Sequence, residues 1–139
     1  MVQCLLLTLI FRSNNMISEN KNPYSRYWKK KADFQWSRAV RSIGRCAYCG
    51  NPYNLQAHHL IPRKNNSTRH KIDCGLCLCE HHHLYCHKIS PHLKPKNFNK
   101  WLKTNHPEKY RWVSRNKSFR SYIKVDFRTA FLKLSRRRL

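Results

Sequence analysis

Two short cysteine and histidine pairs constrain this chain more than any other feature. Two residues separate Cys46 from Cys49, and two separate Cys79 from His82. Each pair can put both side chains on one tetrahedral ion, and two such pairs complete a four-ligand zinc site. All four positions are then filled by protein, so the expected zinc is structural and leaves no place for water. A disulfide framework is the competing use of cysteine. The chain has 7 cysteines, an odd number, and no secretory leader is evident. The apolar run Cys4 to Phe11 is shorter than the roughly 20 residues needed to cross a bilayer. No Lys or Arg precedes it and no small-residue cleavage site follows it. Met16 opens a polar stretch and is a second candidate start. The expectation is a reducing, cytoplasmic setting.

Charge narrows the partner. Lys and Arg number 29 against 6 Asp and Glu, for a formal net charge of +23. Such self-repulsion destabilises a folded chain, so a polyanion is the natural reason to keep it. Nucleic acid fits better than an anionic membrane surface, because the basic residues are spread along the chain and interleaved with Trp, Tyr and Phe. DNA is the expected partner, with no membrane.

Residues 1–24 carry no sustained pattern and are expected to be a loosely attached extension. Residues 25–139 are expected to form one domain. Its first element is a helix over 25–43, capped by Ser25 and ended by Gly44. Trp28, Ala32, Trp36, Ala39, Val40 and Ile43 share one face, while Lys29, Lys30 and Arg38 lie on the other. The segment 45–92 holds the zinc pairs. Asn51-Pro52 is a turn, residues near Leu55 and the run Gly75 to Cys79 read as short strands, and Glu80 to Ser90 reads as a short helix stopped before Pro91. Further helices over 97–137 are separated by prolines. The last carries Ile123, Phe127, Phe131 and Leu134 on one stripe, then the basic tail Arg136, Arg137 and Arg138.

Four histidines are not needed for zinc. His58 and His59 are adjacent in the stretch enclosed by the zinc pairs. His83 and His87 are four apart, so on a helix they share a face. His82 and His83 are about 100° apart around such a helix. His82 can thus face the zinc while His83 faces elsewhere. His70, His81, His92 and His106 read as surface histidines. Neighbours in a regular strand point to opposite faces, so the strand is expected to end or distort near Ala57 if His58 and His59 serve one site.

The order Cys-x-x-Cys, Ala-His-His-Leu-Ile-Pro-Arg, then Gly-Leu-Cys-Leu-Cys-x-x-His-His-x-x-x-His resembles the HNH endonuclease family. The likeness is greatest to the zinc-bracketed branch common in phages and mobile elements, and it covers about residues 45–92. The resemblance implies an α+β fold: a small ββα-metal core with structural zinc, flanked by basic helices. It implies metal-dependent hydrolysis of DNA phosphodiesters, by nicking or double-strand cutting, with 5′-phosphate products. His59 falls on the general base. His58, His83 and His87 fall on ligands of a catalytic divalent metal, Mg²⁺ or Mn²⁺. Arg63 and Lys64 follow the catalytic strand and are candidates for phosphate contact, with Lys29, Lys30, Arg136, Arg137 and Arg138 as further DNA-binding candidates. Cys74 stands where the family has its middle Asn, which leaves open a non-catalytic zinc module that binds nucleic acid; an RNA-directed nuclease is a second alternative, since phosphate contacts do not distinguish the polymers.

Overall fold

The computed structural model describes residues 21–118 and 124–137. Helix α1 spans Arg26–Arg41 and buries Ala32, Trp36 and Val40. Ser25 occupies its N-cap position without a side-chain cap bond. The helix is shorter than the expected 25–43: the chain turns at Ser42 and Gly44 (φ 77°), and Ile43 is exposed. Strand β1 (Leu55–His59) and strand β2 (Gly75–Cys79) form one antiparallel ribbon. Its register pairs Leu55 with Cys79, His58 with Leu76 and His59 with Gly75. Between the strands lie a one-turn helix α2 (Asn66–Arg69) and a 3-10 turn (Ile72–Cys74).

The ribbon is covered on both faces, so β2 is buried at every position. This is why its sequence is a continuous apolar run rather than an alternation. Leu76 and Leu78 pack with Cys86, Ile89, Phe98 and Leu102 on one side. Cys77 packs against Trp36, Val40 and Leu134 on the other. α1 lies close to the ribbon at Gly75: a Cβ there would overlap the Val40 side chain and come within 3.1 Å of Trp36. The Trp36 indole N–H donates to the Lys71 carbonyl at 2.9 Å, so its buried polar atom is satisfied.

After β2 the expected helix over Glu80 to Ser90 does not form. A five-residue π turn, His81–Tyr85, takes its place, closed by the Cys86 N–H on the His81 carbonyl at 2.8 Å. In an α-helix the His83 carbonyl would accept from the residue 87 N–H. Here the Ser90 hydroxyl takes that carbonyl at 2.8 Å. Helix α3 (Pro95–Asn105) and helix α4 (Pro107–Asn116) each start on proline, a favoured first position because its missing N–H would have no intrahelical partner. Helix α5 is Phe127–Ser135, shorter than the sequence stripe suggests. Asp126 starts it by accepting the Thr129 N–H at 2.8 Å. α5 packs on α1. Ile123, Arg138 and most of the N-terminal extension (1–20) lie outside the described residues. The architecture is thus mixed, a two-stranded antiparallel sheet among helices, as an α+β class requires.

Candidate metal centres and active site

Cys46 and Cys49 sit on a tight loop that docks on the ribbon. The Ala47 N–H donates to the Cys77 carbonyl at 2.8 Å and the Gly50 N–H to Cys46 at 2.9 Å. Gly50 has φ 74°, a conformation glycine adopts without strain. The last residue of β2, Cys79, reaches the same point, and the π turn brings in His82. Cys79 Sγ lies 3.1 Å from His82 Nδ1 and 3.9 Å from Cys49 Sγ. The ligand atoms of Cys46, Cys49, Cys79 and His82 all lie within 4.8 Å of one another. This Cys₃His group can hold a structural metal such as zinc. Burial and the neighbouring thiols push Cys79 up to about 11, so metal binding there releases a proton. His81 and Cys86 also lie near His82, but the His82 Nδ1 already faces the thiols.

A second group forms on the other side of the π turn. His58 Nδ1 lies 3.0 Å from His83 Nε2, and His92 Nε2 lies 3.1 Å from the same atom. The ligand atoms of His58, His83 and His92 fall within 4.8 Å of one another. His87, expected as the third ligand, is exposed beyond the turn and belongs to no such group among the described residues. Its shared face with His83 required an α-helix, and the π turn removes it. His92 replaces it through Ser90. That buried hydroxyl donates to His83 O and accepts the His92 and Leu93 N–H groups at 3.2 and 3.3 Å. One serine thus ties the two histidines together across Pro91.

Gln56 is two residues before His58 on β1 and shares its face. Its Oε1 lies 2.6 Å from His83 Nδ1. With the amide so oriented, His83 Nδ1–H donates and Nε2 presents its lone pair to the cluster. Burial, and then the charges of its histidine neighbours, push His58 down to about 3; burial and His92 push His83 down to about 4. Both rings are therefore neutral near pH 7, the form that binds metal.

His59 faces the opposite side of the ribbon. Its ring stacks on Trp36, centroids 3.6 Å apart. Its Nε2 lies 3.0 Å from the Arg69 carbonyl, which can only accept, so the ring proton is on Nε2 and Nδ1 is the basic nitrogen. Burial lowers His59 to about 4, with Arg63 and Arg69 adding to the shift. β1 stays regular through His59; no distortion occurs at Ala57. None is needed, because β1 is an edge strand. A cavity of about 630 Å³ beside it is lined by His58, His59, His83 and His92 together, and also by Asp33 and Arg63.

Asp33 of α1 braces this region. It binds Arg69 through two contacts of 2.6 and 2.7 Å, and His70 Nε2 at 2.8 Å. Burial alone would raise its carboxyl, but those hydrogen bonds outweigh it and hold the group well below the usual carboxylate range. Arg69 in turn donates to the Arg63 carbonyl at 2.8 Å. Its own carbonyl holds His59, so the acid on α1 fixes the segment that orients this ring. Cys74 is fully buried, its Sγ 3.8 Å from the Ile61 carbonyl, and its own carbonyl accepts the Leu60 N–H at 2.8 Å. It sits among no metal-ligating group of the described residues and burial raises its thiol pKa.

The basic candidates separate. Arg63 lines the histidine cavity, Lys29 and Lys30 line a neighbouring groove, and exposed Lys64 lines neither. Arg136 and Arg137 follow α5 at the far end of α1's partner helix. Gln56, Ser90, His92, Trp36 and Asp33 were not singled out as site residues from the sequence. Comparison of the chain with protein-family models, with characterised proteins and with solved structures returns no match. Among the described residues no helix is long and apolar enough to cross a membrane.

Proposed function

We propose that the protein is a metal-dependent endonuclease of the HNH type that hydrolyses DNA phosphodiesters. The observation that carries this reading is one cavity lined by His59 and by the His58, His83 and His92 cluster. An antiparallel strand pair followed at once by a turn bearing His83 supports it. His59 takes the proton of the attacking water on Nδ1, while the Arg69 carbonyl keeps the ring oriented. A pKa of about 4 makes His59 a weak base. A substrate phosphate beside it raises that value toward neutrality, so proton affinity rises when substrate is present. Arg63 is placed to neutralise phosphate charge. When bound, a divalent ion polarises the scissile phosphate and stabilises the leaving 3′ oxygen. His58, His83 and His92 would hold it. Three imidazoles without a carboxylate suit Mn²⁺ or another transition ion better than Mg²⁺, which prefers oxygen ligands.

The test is nicking of supercoiled plasmid by the zinc-loaded protein, with and without Mn²⁺. Metal-dependent nicking that disappears in His59→Ala is expected. DNA binding without any nicking in Mn²⁺, Mg²⁺ or Co²⁺ favours the second reading, a non-catalytic zinc module. Buried Cys74 in place of the motif Asn is the observation on that side. An RNA competitor, titrated against duplex, separates a DNA from an RNA preference.

A further inference from the structure

A second groove, of about 510 Å³, adjoins the histidine cavity. Arg26, Lys29 and Lys30 of α1 line it, with Arg63 from the loop after β1 and Arg69 of α2. Asp33 is the single carboxylate among its lining residues. That carboxylate is already committed to Arg69 and His70, and reaches Arg63 only at 3.5 Å. Five cations thus surround one occupied anion.

Contacts within the fold account for only part of this arrangement: Arg69 pairs with Asp33, and Lys29 Nζ lies 5.4 Å from the Phe127 ring centroid. Arg26, Lys29 and Lys30 lie in the first turns of α1, the positive end of the helix dipole, where a cation costs stability. The first turn carries no acidic residue to offset them. Crowding is visible on Lys29, whose pKa is lowered first by burial and then by Arg69 and Arg63, with Asp33 opposing. An anion entering the groove would relieve each of these costs at once.

The groove also has a direction. Asp33 and Arg63 line both it and the histidine cavity, so the two spaces adjoin at these residues. We infer that this groove seats the phosphate backbone of the nucleic-acid substrate on one side of the cleavage point, with Arg63 joining the seat to the catalytic cavity. The assignment rests on the nuclease reading for what lies in the cavity, but not for the seat's affinity.

The experiment is fluorescence anisotropy of a short duplex DNA against salt, on zinc-loaded protein with no other divalent metal. Arg26→Ala/Lys30→Ala removes two exposed groove charges. Lys96→Ala/Lys100→Ala removes two exposed charges from α3. At about 0.9 counterions released per phosphate contact, the groove variant should lower the log–log salt slope by roughly 2. The α3 variant should leave it within about 0.5 of the parent's, since no contact is assigned there. Lys30→Glu alone, a single exposed change, should weaken binding in the same direction. Equal losses from the two double variants, or an unchanged slope in the groove variant, overturn the assignment. Failure of plasmid nicking with the slope result intact overturns only the nuclease reading.

Discussion

The two metal-ligand clusters sit back to back on one π turn and differ in nearly every chemical respect. His82 faces three thiols; its neighbour His83 faces two imidazoles. The thiol cluster has four donors, which closes a tetrahedral ion to water. The imidazole cluster has three, and a cavity of about 630 Å³ opens beside it. Two adjacent residues on a short turn thus belong to two separate groups, each able to hold a metal ion. The side of the turn, rather than the residue type, assigns each histidine its group.

The largest effect is expected at the thiol end. Cys49→Ser should abolish cooperative unfolding of the core, because structural zinc contributes about 10–16 kcal/mol that is folding free energy. Circular dichroism melts with parallel zinc analysis read this directly. A folded, zinc-free variant would show that the cluster is not structural.

At the imidazole end, chemistry should fail before the fold does. His59→Ala should keep zinc and bind duplex DNA, yet slow nicking by roughly 10² to 10⁴. Rescue of His59→Ala by excess Mn²⁺ would instead make His59 a ligand. A smaller effect sharpens the same contrast. Gln56 touches no ion but holds His83 Nδ1 at 2.6 Å. Gln56→Ala should weaken Mn²⁺ binding about 10- to 100-fold, the usual worth of an outer partner of a ligating histidine. Calorimetric titration checks it; unchanged affinity would leave Gln56 with a packing role only.

The smallest effect is on stability against pH. His58 and His83 are pushed below their ordinary value, so the unfolded chain binds more protons between about pH 6.5 and 4 and stability falls as pH falls. His58→Gln should lose less of its urea midpoint between pH 7 and 5 than the parent, with one equivalent of zinc and no excess metal in both. Equal losses in the two proteins would mean His58 is not held neutral.

Legibility in the sequence followed the range of the interaction. The zinc quartet, β2 and α1 rest on spacings of two to four residues, and those survive into the fold. The split between His82 and His83 was readable for the same reason. His92 was not. Its place depends on the Ser90 hydroxyl, which takes the His83 carbonyl seven residues back and accepts the His92 N–H across Pro91, where a π turn stands in place of the expected helix. His87 lost its place for the same cause. The Asp33 bridge to Arg69 spans from α1 to α2, and no local pattern announces it. A motif singles out His59, but its setting between Trp36 and the Arg69 carbonyl belongs to the packing.

We propose that an open three-histidine centre, completed by His92, stands beside the closed Cys₃His site. Titrating Co²⁺ into zinc-loaded protein, followed by visible absorption, tests it most directly. The parent should take up one further equivalent, and His87→Ala should match it. His92→Ala should lose at least roughly 100-fold in affinity, beyond what an outer partner is worth. Uptake unchanged in His92→Ala but lost in His87→Ala would contradict the account.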